Sequence, residues 1–221
     1  MGKSAGEDDL MGVPIVYRKK GETTLANYDY VDIATGTGYI KLYAGGTYAN
    51  GISGGNLSNI TYYANPSVST TNTTGGAAWA KVIDRDFDTL LNKPMTFKGK
   101  AIINLTFGMS QSTSGTGSSF IQAKFRKWNG TTETDLVTIS GQAINIGATA
   151  AELNTFAMNM EIPQTNFKRG ETLRMTIEVW SMRDSGTTST SVYYDPMNRD
   201  TTGTAGTPTT LIVQMPVRIT L

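Results

Sequence analysis

Leu173-Arg174-Met175-Thr176-Ile177-Glu178-Val179 alternates apolar and polar residues without a break. At a period of two, Leu173, Met175, Ile177 and Val179 share one face of an extended chain, and Arg174, Thr176 and Glu178 share the other. A helix would scatter both sets around its axis, so the stretch predicts a strand with one dry face and one wet face. The alternation recurs on either side. Phe156, Met158, Met160 and Ile162 interleave with Ala157, Asn159 and Glu161, and Leu211, Val213, Met215, Val217, Ile219 and Leu221 sustain the pattern across 211–221. Pro216 falls on the polar face of that last run. Having no N–H to give to a ladder, it predicts a bend, a bulge or an edge there.

Extended along the chain, this reading gives eight candidate strands, at about 79–84, 95–109, 119–128, 133–140, 155–162, 171–180, 190–195 and 209–221. Ser114-Gly115-Thr116-Gly117, Asn129-Gly130 and Arg169-Gly170 supply turn chemistry between them, and the Asn-Gly pair predicts a tight hairpin. Ala148–Leu153 is the one helix-like stretch. Eight half-buried strands joined by turns predict an all-β fold, an antiparallel β-sandwich of jelly-roll type. An immunoglobulin-like sandwich is the rival, but its Cys…Trp…Cys signature is absent. Residues 1–78 differ in composition, being rich in Gly and Asn and holding eight of the ten Tyr. Shorter strand candidates occur there at Ile15–Tyr17, Tyr28–Ile33, Tyr39–Ala44 and Ser58–Tyr63. This zone predicts an N-terminal arm with peripheral strands, and residues 79–221 predict the sandwich.

The composition removes much chemistry. The 221 residues include no His and no Cys, but 24 Gly and 34 Thr. Without them there is no Ser-His-Asp or Cys-His couple, no zinc or thiolate metal cage and no disulfide. With 19 basic and 18 acidic residues, net charge +1, no overall field steers the chain to nucleic acid or anionic lipid. Met1 to Val16 carries Glu7, Asp8 and Asp9 without an apolar core, so no signal peptide is expected there. Gly6 stands where a myristoylation pattern needs Ser or Thr. No apolar run approaches the roughly 20 residues of a membrane-spanning helix.

Asp84, Asp86 and Asp88 alternate, so one face carries all three, as at ligand positions 1, 3 and 5 of a calcium loop. The calcium pattern then fails, with Thr89 in the place of Gly and Met95 in the place of Glu. A solvated strand end, offset by Lys81 and Arg85, is the competing reading. A carboxylate pair for glycoside hydrolysis is conceivable on such a fold, but the spacing singles none out. Tyr28, Tyr30, Tyr39, Tyr43, Tyr48, Tyr62 and Tyr63 suit an interface or cross-strand pairing ahead of sugar stacking. Arg18-Lys19-Lys20 is a short basic run balanced by nearby acids, which makes nucleic-acid contact the weaker reading. Trp79, Trp128 and Trp180 are expected to cap the core. Sequons at Asn56, Asn59, Asn72, Asn104 and Asn129 arise readily in a Ser/Thr-rich chain, and a glycan on Asn104 would obstruct a strand.

Phe97-Lys98-Gly99-Lys100-Ala101-Ile102-Ile103-Asn104-Leu105, followed by Thr165-Asn166-Phe167-Lys168-Arg169-Gly170-Glu171-Thr172-Leu173-Arg174-Met175-Thr176-Ile177-Glu178, resembles virion structural proteins of the jelly-roll kind. Tyr28 to Tyr43 resembles segments of phage proteins. The resemblance spans about two thirds of the chain. It implies a capsid, capsid-decorating or tail-associated protein of a phage or related virus. Such a protein is assembled in the host cytoplasm, without enzymatic activity or cofactor. It would associate with itself and with other virion proteins through sheet edges and the N-terminal arm. The alternative expectation is a carbohydrate-binding or host-adhesion module.

Overall fold

The computed structural model describes residues 36–46, 55–61, 67–72, 76–112, 115–199 and 206–218, and every regular element within them is a strand. In chain order these are β1 (Thr37–Gly46), β2 (Gly55–Ser58), β3 (Ser67–Asn72), β4 (Gly76–Leu90), β5 (Met95–Gln111), β6 (Gly117–Trp128), β7 (Glu133–Ser140), β8 (Ile144–Ile146), β9 (Ala151–Phe167), β10 (Thr172–Arg183), β11 (Thr188–Tyr193) and β12 (Leu211–Arg218). Each of the eight expected strands has its counterpart. In β10 the expected dry side chains of Leu173, Met175, Ile177 and Val179 are fully buried.

All twelve strands join one large mixed sheet, in the order β3-β11-β5-β12-β1-β2-β4-β10-β6-β7, with β8 added to β6 and β9 to β5. Pairing is antiparallel except between β2 and β4, where Gly55 meets Phe87 and Asn56 meets Asp88 in parallel. The sheet is all-β and folds over as a sandwich. β7 packs against β9, and a single core lies between the two halves, built on Leu105 and Phe107 of β5, Phe125 of β6, Met160 of β9, and Met215 of β12.

Three local outcomes have clear causes. Ala148–Leu153 is not helical. Six residues are too few to offset helix nucleation. Instead Ala150 N–H donates to Gly147 O at 3.2 Å in a turn, and Ala151 to Leu153 pair with Ser110 to Gly108 of β5. Asn129-Gly130 forms the expected hairpin, in which Asn129 Oδ1 accepts hydrogen bonds from the backbone N–H groups of Thr131 and Thr132. Pro216 faces Tyr39 of β1 on one side, while on the other the ladder to β5 lapses between Gln214–Ile102 and Val217–Phe97. The bulge expected from Pro216 is therefore present.

β1 and β2, from the zone read as an arm with peripheral strands, lie in the middle of the sheet between β12 and β4. β4 itself runs across the compositional boundary at residue 78. Tyr28, Tyr30, Tyr48, Tyr62 and Tyr63, the candidate strands at 15–17 and 28–33, and Arg18-Lys19-Lys20 lie outside the described residues.

Gly55 shows how tightly β2 is seated. A Cβ there would lie 2.3 Å from Cδ1 of buried Phe87 and 2.8 Å from the backbone oxygen of Asp86. Since the backbone oxygen cannot rotate away, Gly55→Ala is expected to destabilise the fold by up to about 3 kcal/mol, the upper end for overpacking. Urea unfolding of the variant checks this.

Candidate functional site

The polar face of β10 and its neighbours β4, β6 and β7 form one outward platform. Backbone register sets side chains in rows across it: Asp88, Arg174, Arg126 and Asp135 in one, Asp86, Thr176, Lys124 and Thr138 in another, and Asp84, Glu178, Gln122 and Ser140 in a third. Two like-charged pairs face each other in these rows, Arg174 with Arg126 and Asp84 with Glu178, and each is offset by a shared opposite charge, Glu133 for the arginines and Lys81 for the carboxylates.

Arg174 organises one end. Its Nε and Nη2 donate to the two oxygens of Asp88 at 2.7 and 2.8 Å, the two-pronged geometry that suits a planar guanidinium to a carboxylate. Nη1 donates to Glu133 at 2.9 Å and lies 3.5 Å from Asp86, while the group stacks 5.6 Å from the Trp128 ring centre. The hydrogen bonds it donates to Asp88, with Asp86 and Glu133 nearby, hold the guanidinium still more firmly protonated than usual. Arg126 ties Glu133 to Asp135 on the outer strand.

Glu178 organises the middle. Its side chain is only 2% exposed, yet it stays ionised. Burial pushes its carboxyl upward, but hydrogen bonds from Lys124 at 2.7 Å and from the Trp180 indole at 3.0 Å outweigh this and leave it below the ordinary carboxylate range. Lys81 adds a second cation at 3.5 Å, and its own ammonium is held charged by the hydrogen bond to Asp84. Beyond this row lies an aromatic end, where Trp180 stacks on Phe120 and Trp79 meets Phe120 edge-on at 4.9 Å.

A second polar knot closes the β11–β12 connection. Asp195, fully buried, accepts from the backbone N–H of Met197 and Arg199 and from the Arg199 guanidinium. Burial opposes its ionisation, but these donors win and its carboxyl lies low. Glu171 is lowered chiefly by Lys127, and Asp184 by the N–H of Thr116. Each of these four carboxyls binds a proton less readily folded than unfolded, so its stabilisation is complete above its unfolded pKa of about 4 and fades as pH falls through its lower folded value. Tm is expected to be flat from pH 7 to about 5 and to fall steeply below about 4. A Tm unchanged down to pH 2.5 would contradict the assignment.

A proton donor for carboxylate-based hydrolysis needs a raised pKa. Glu171, Glu178, Asp184 and Asp195 are shifted the opposite way and remain anions at neutral pH.

Asp84, Asp86 and Asp88 do share one face, as their spacing predicts. Each points to a different partner, respectively Lys81, Thr176 and Arg174, and no group of three acidic side chains among the described residues is arranged to hold a metal ion. Tyr39 and Tyr43 lie half-buried on the opposite outer face, on β1, with Lys41 over the Tyr43 ring. Trp79, Trp128 and Trp180 do not cap the core but bracket the charged platform. They fall on its outward positions, where strand ends were expected to turn inward. The joining of Arg174 to Asp88, 86 residues away, leaves no local sequence signal.

Two concavities lie on the described surface away from this platform. One, of about 240 Å³, lies among Gly108, Leu153, Ser191 and Tyr193. The other, of about 340 Å³, lies at the Pro216 bulge, among Tyr39, Lys98, Gly99, Lys100, Pro216 and Arg218. Among the described residues no helix is long and apolar enough to cross a membrane.

No protein-family model matches the chain, and no curated protein matches it. Its fold is similar to that of an α-amino acid ester hydrolase, with a TM-score of 0.52 and 12% identity over 80% of this chain and 36% of that one. It is also similar to an aminopeptidase from a marine sediment archaeon of the Thaumarchaeota, with a TM-score of 0.50 and 10% identity over 83% of this chain and 37% of that one. The chain thus spans little more than a third of these hydrolases. A structure of infectious bursal disease virus, Gx strain, covers 79% of this chain at 13% identity, but its TM-score of 0.31 carries no argument. These likenesses correct the expectation of a non-enzymatic virion building block, and its alternative of an adhesion module. At a TM-score of 0.50 or more, the fold is shared with hydrolases. The strand pattern behind that expectation specifies a sandwich and is indifferent to the work the sandwich does.

Proposed function

We propose that this chain is a β-sandwich unit of a hydrolase that cleaves ester or amide bonds. The observation that carries the reading is the likeness to the α-amino acid ester hydrolase, in which four fifths of this chain corresponds to about a third of the enzyme. A nucleophile–base couple of the Ser-His type needs an imidazole, and this chain has no His. The couple therefore comes from a catalytic unit joined to or docked on the sandwich. The sandwich contributes a stiff framework, pinned by the Arg174 and Glu178 networks, that holds the catalytic unit and the substrate in register.

Depletion tests this. An antibody to the chain should remove hydrolysis of amino-acid esters or aminoacyl amides from an extract of the organism that encodes it, and the activity should return with the eluate. Complete removal of the chain with the activity undiminished would overturn the reading.

A further inference from the structure

We infer that the groove at the Pro216 bulge is a binding site for a small multivalent oxyanion. The inference stands apart from the hydrolase reading, because it rests on the groove alone.

The backbone makes the groove. Between its paired positions Phe97 and Ile102, β5 has four residues, while β12 has two, Met215 and Pro216, between Gln214 and Val217. The surplus of two residues on β5 leaves the ladder between them open there. Gly99 takes the bend at φ +112°, in the left-handed region that side chains avoid. Pro216 stands opposite and offers no N–H to close the gap. The cavity that results, about 340 Å³, has room for a phosphate or carboxylate head and a small body.

Its charge is one-sided. Lys98, Lys100 and Arg218 line it, joined by Tyr39, whose amphipathic ring adds an apolar wall and a hydroxyl. The side chains of Lys98 and Lys100 are exposed and make no hydrogen bond or ion pair with any described residue. Among the described residues the Arg218 side chain makes only a long hydrogen bond, 3.5 Å, to Gln164. The carboxylate in register with Lys100 is Glu161, and no ion pair joins them. On the platform of the other half, by contrast, every cation named above is ion-paired. Among the described residues no carboxylate is ion-paired to these three cations, so in a chain of net charge +1 they form a local excess. Charge-assisted hydrogen bonds from Lys and Arg answer an oxyanion of two or more charges.

Titration of the whole chain with pyrophosphate and, separately, citrate, followed by calorimetry and amide NMR, tests the site. The expected result is saturable one-to-one binding, with shifts centred on Gly36, Tyr39 and Gly99. The tighter arm tells a phosphate ligand from a polycarboxylate. Lys98→Ala/Lys100→Ala is expected to weaken binding at least tenfold without changing Tm. Lys41→Ala, on the same outer face but outside the groove, is expected to change it less than twofold. No saturation with either probe below about 10 mM, which corresponds to under about 3 kcal/mol of binding, would overturn the inference. So would an equal loss in Lys41→Ala, which would mark a diffuse positive surface.

Discussion

Phe87→Ala is expected to lower the unfolding free energy by about 3–5 kcal/mol, the cost of deleting a fully buried aromatic ring whose surroundings collapse only in part. Phe87 has no exposed surface. It holds three elements together: its own strand β4, the parallel partner β2, whose Gly55 lies against its ring, and the segment after β11, where Tyr194 meets it edge-on at 5.2 Å. The β2–β4 contact joins the two halves of the sheet through two residue pairs only. Removing the ring therefore opens a cavity where backbone pairing is thinnest. A drop of less than 1.5 kcal/mol in urea unfolding would show that this junction is not a weak point. Tyr194, whose hydroxyl is pushed upward in pKa by burial, should report the change by fluorescence.

Lys124→Met should cost about 2 kcal/mol for a different reason. It leaves the nearly inaccessible Glu178 carboxylate without its 2.7 Å partner. Breaking a buried pair from one side costs about 3–5 kcal/mol when the stranded charge has no other support. Lys81 at 3.5 Å and the Trp180 indole remain, so the loss is smaller. The double variant Lys124→Met/Glu178→Met should recover most of it, because no charge is then left buried. Lys81 keeps Asp84, and the half-buried indole can turn to water. A double variant as unstable as the single one would show that packing of the Lys124 stem, and not charge, sets the cost.

These effects also mark what was legible beforehand. Alternation at period two is a local signal, and it located β10, β9 and β12, the shared face of Asp84, Asp86 and Asp88, and the bulge at Pro216. β8, three residues long, is too short to show a period. Ala148–Leu153 looked helical because its composition favours a helix, while the competing β5 ladder lies some 40 residues away in sequence and cannot be seen locally. The central position of β1 and β2 was hidden for the same reason. Alternation says that a strand has two faces and is silent on which strands flank it. The Arg174 and Glu178 networks depend on those flanks, so the platform became visible only in three dimensions. The virion resemblance rested on strand patterns that many unrelated sandwiches share, which is why it misdirected the function.

The proposal that this sandwich is part of a hydrolase is tested most directly by tagging the chain in the organism that encodes it and treating the purified material with a reagent that labels active-site serines covalently. The account predicts that the label co-elutes with the sandwich, on a polypeptide or segment outside Met1–Leu221. A chain that elutes at the mass of 221 residues alone, with no labelled companion and no ester-cleaving activity, would contradict it.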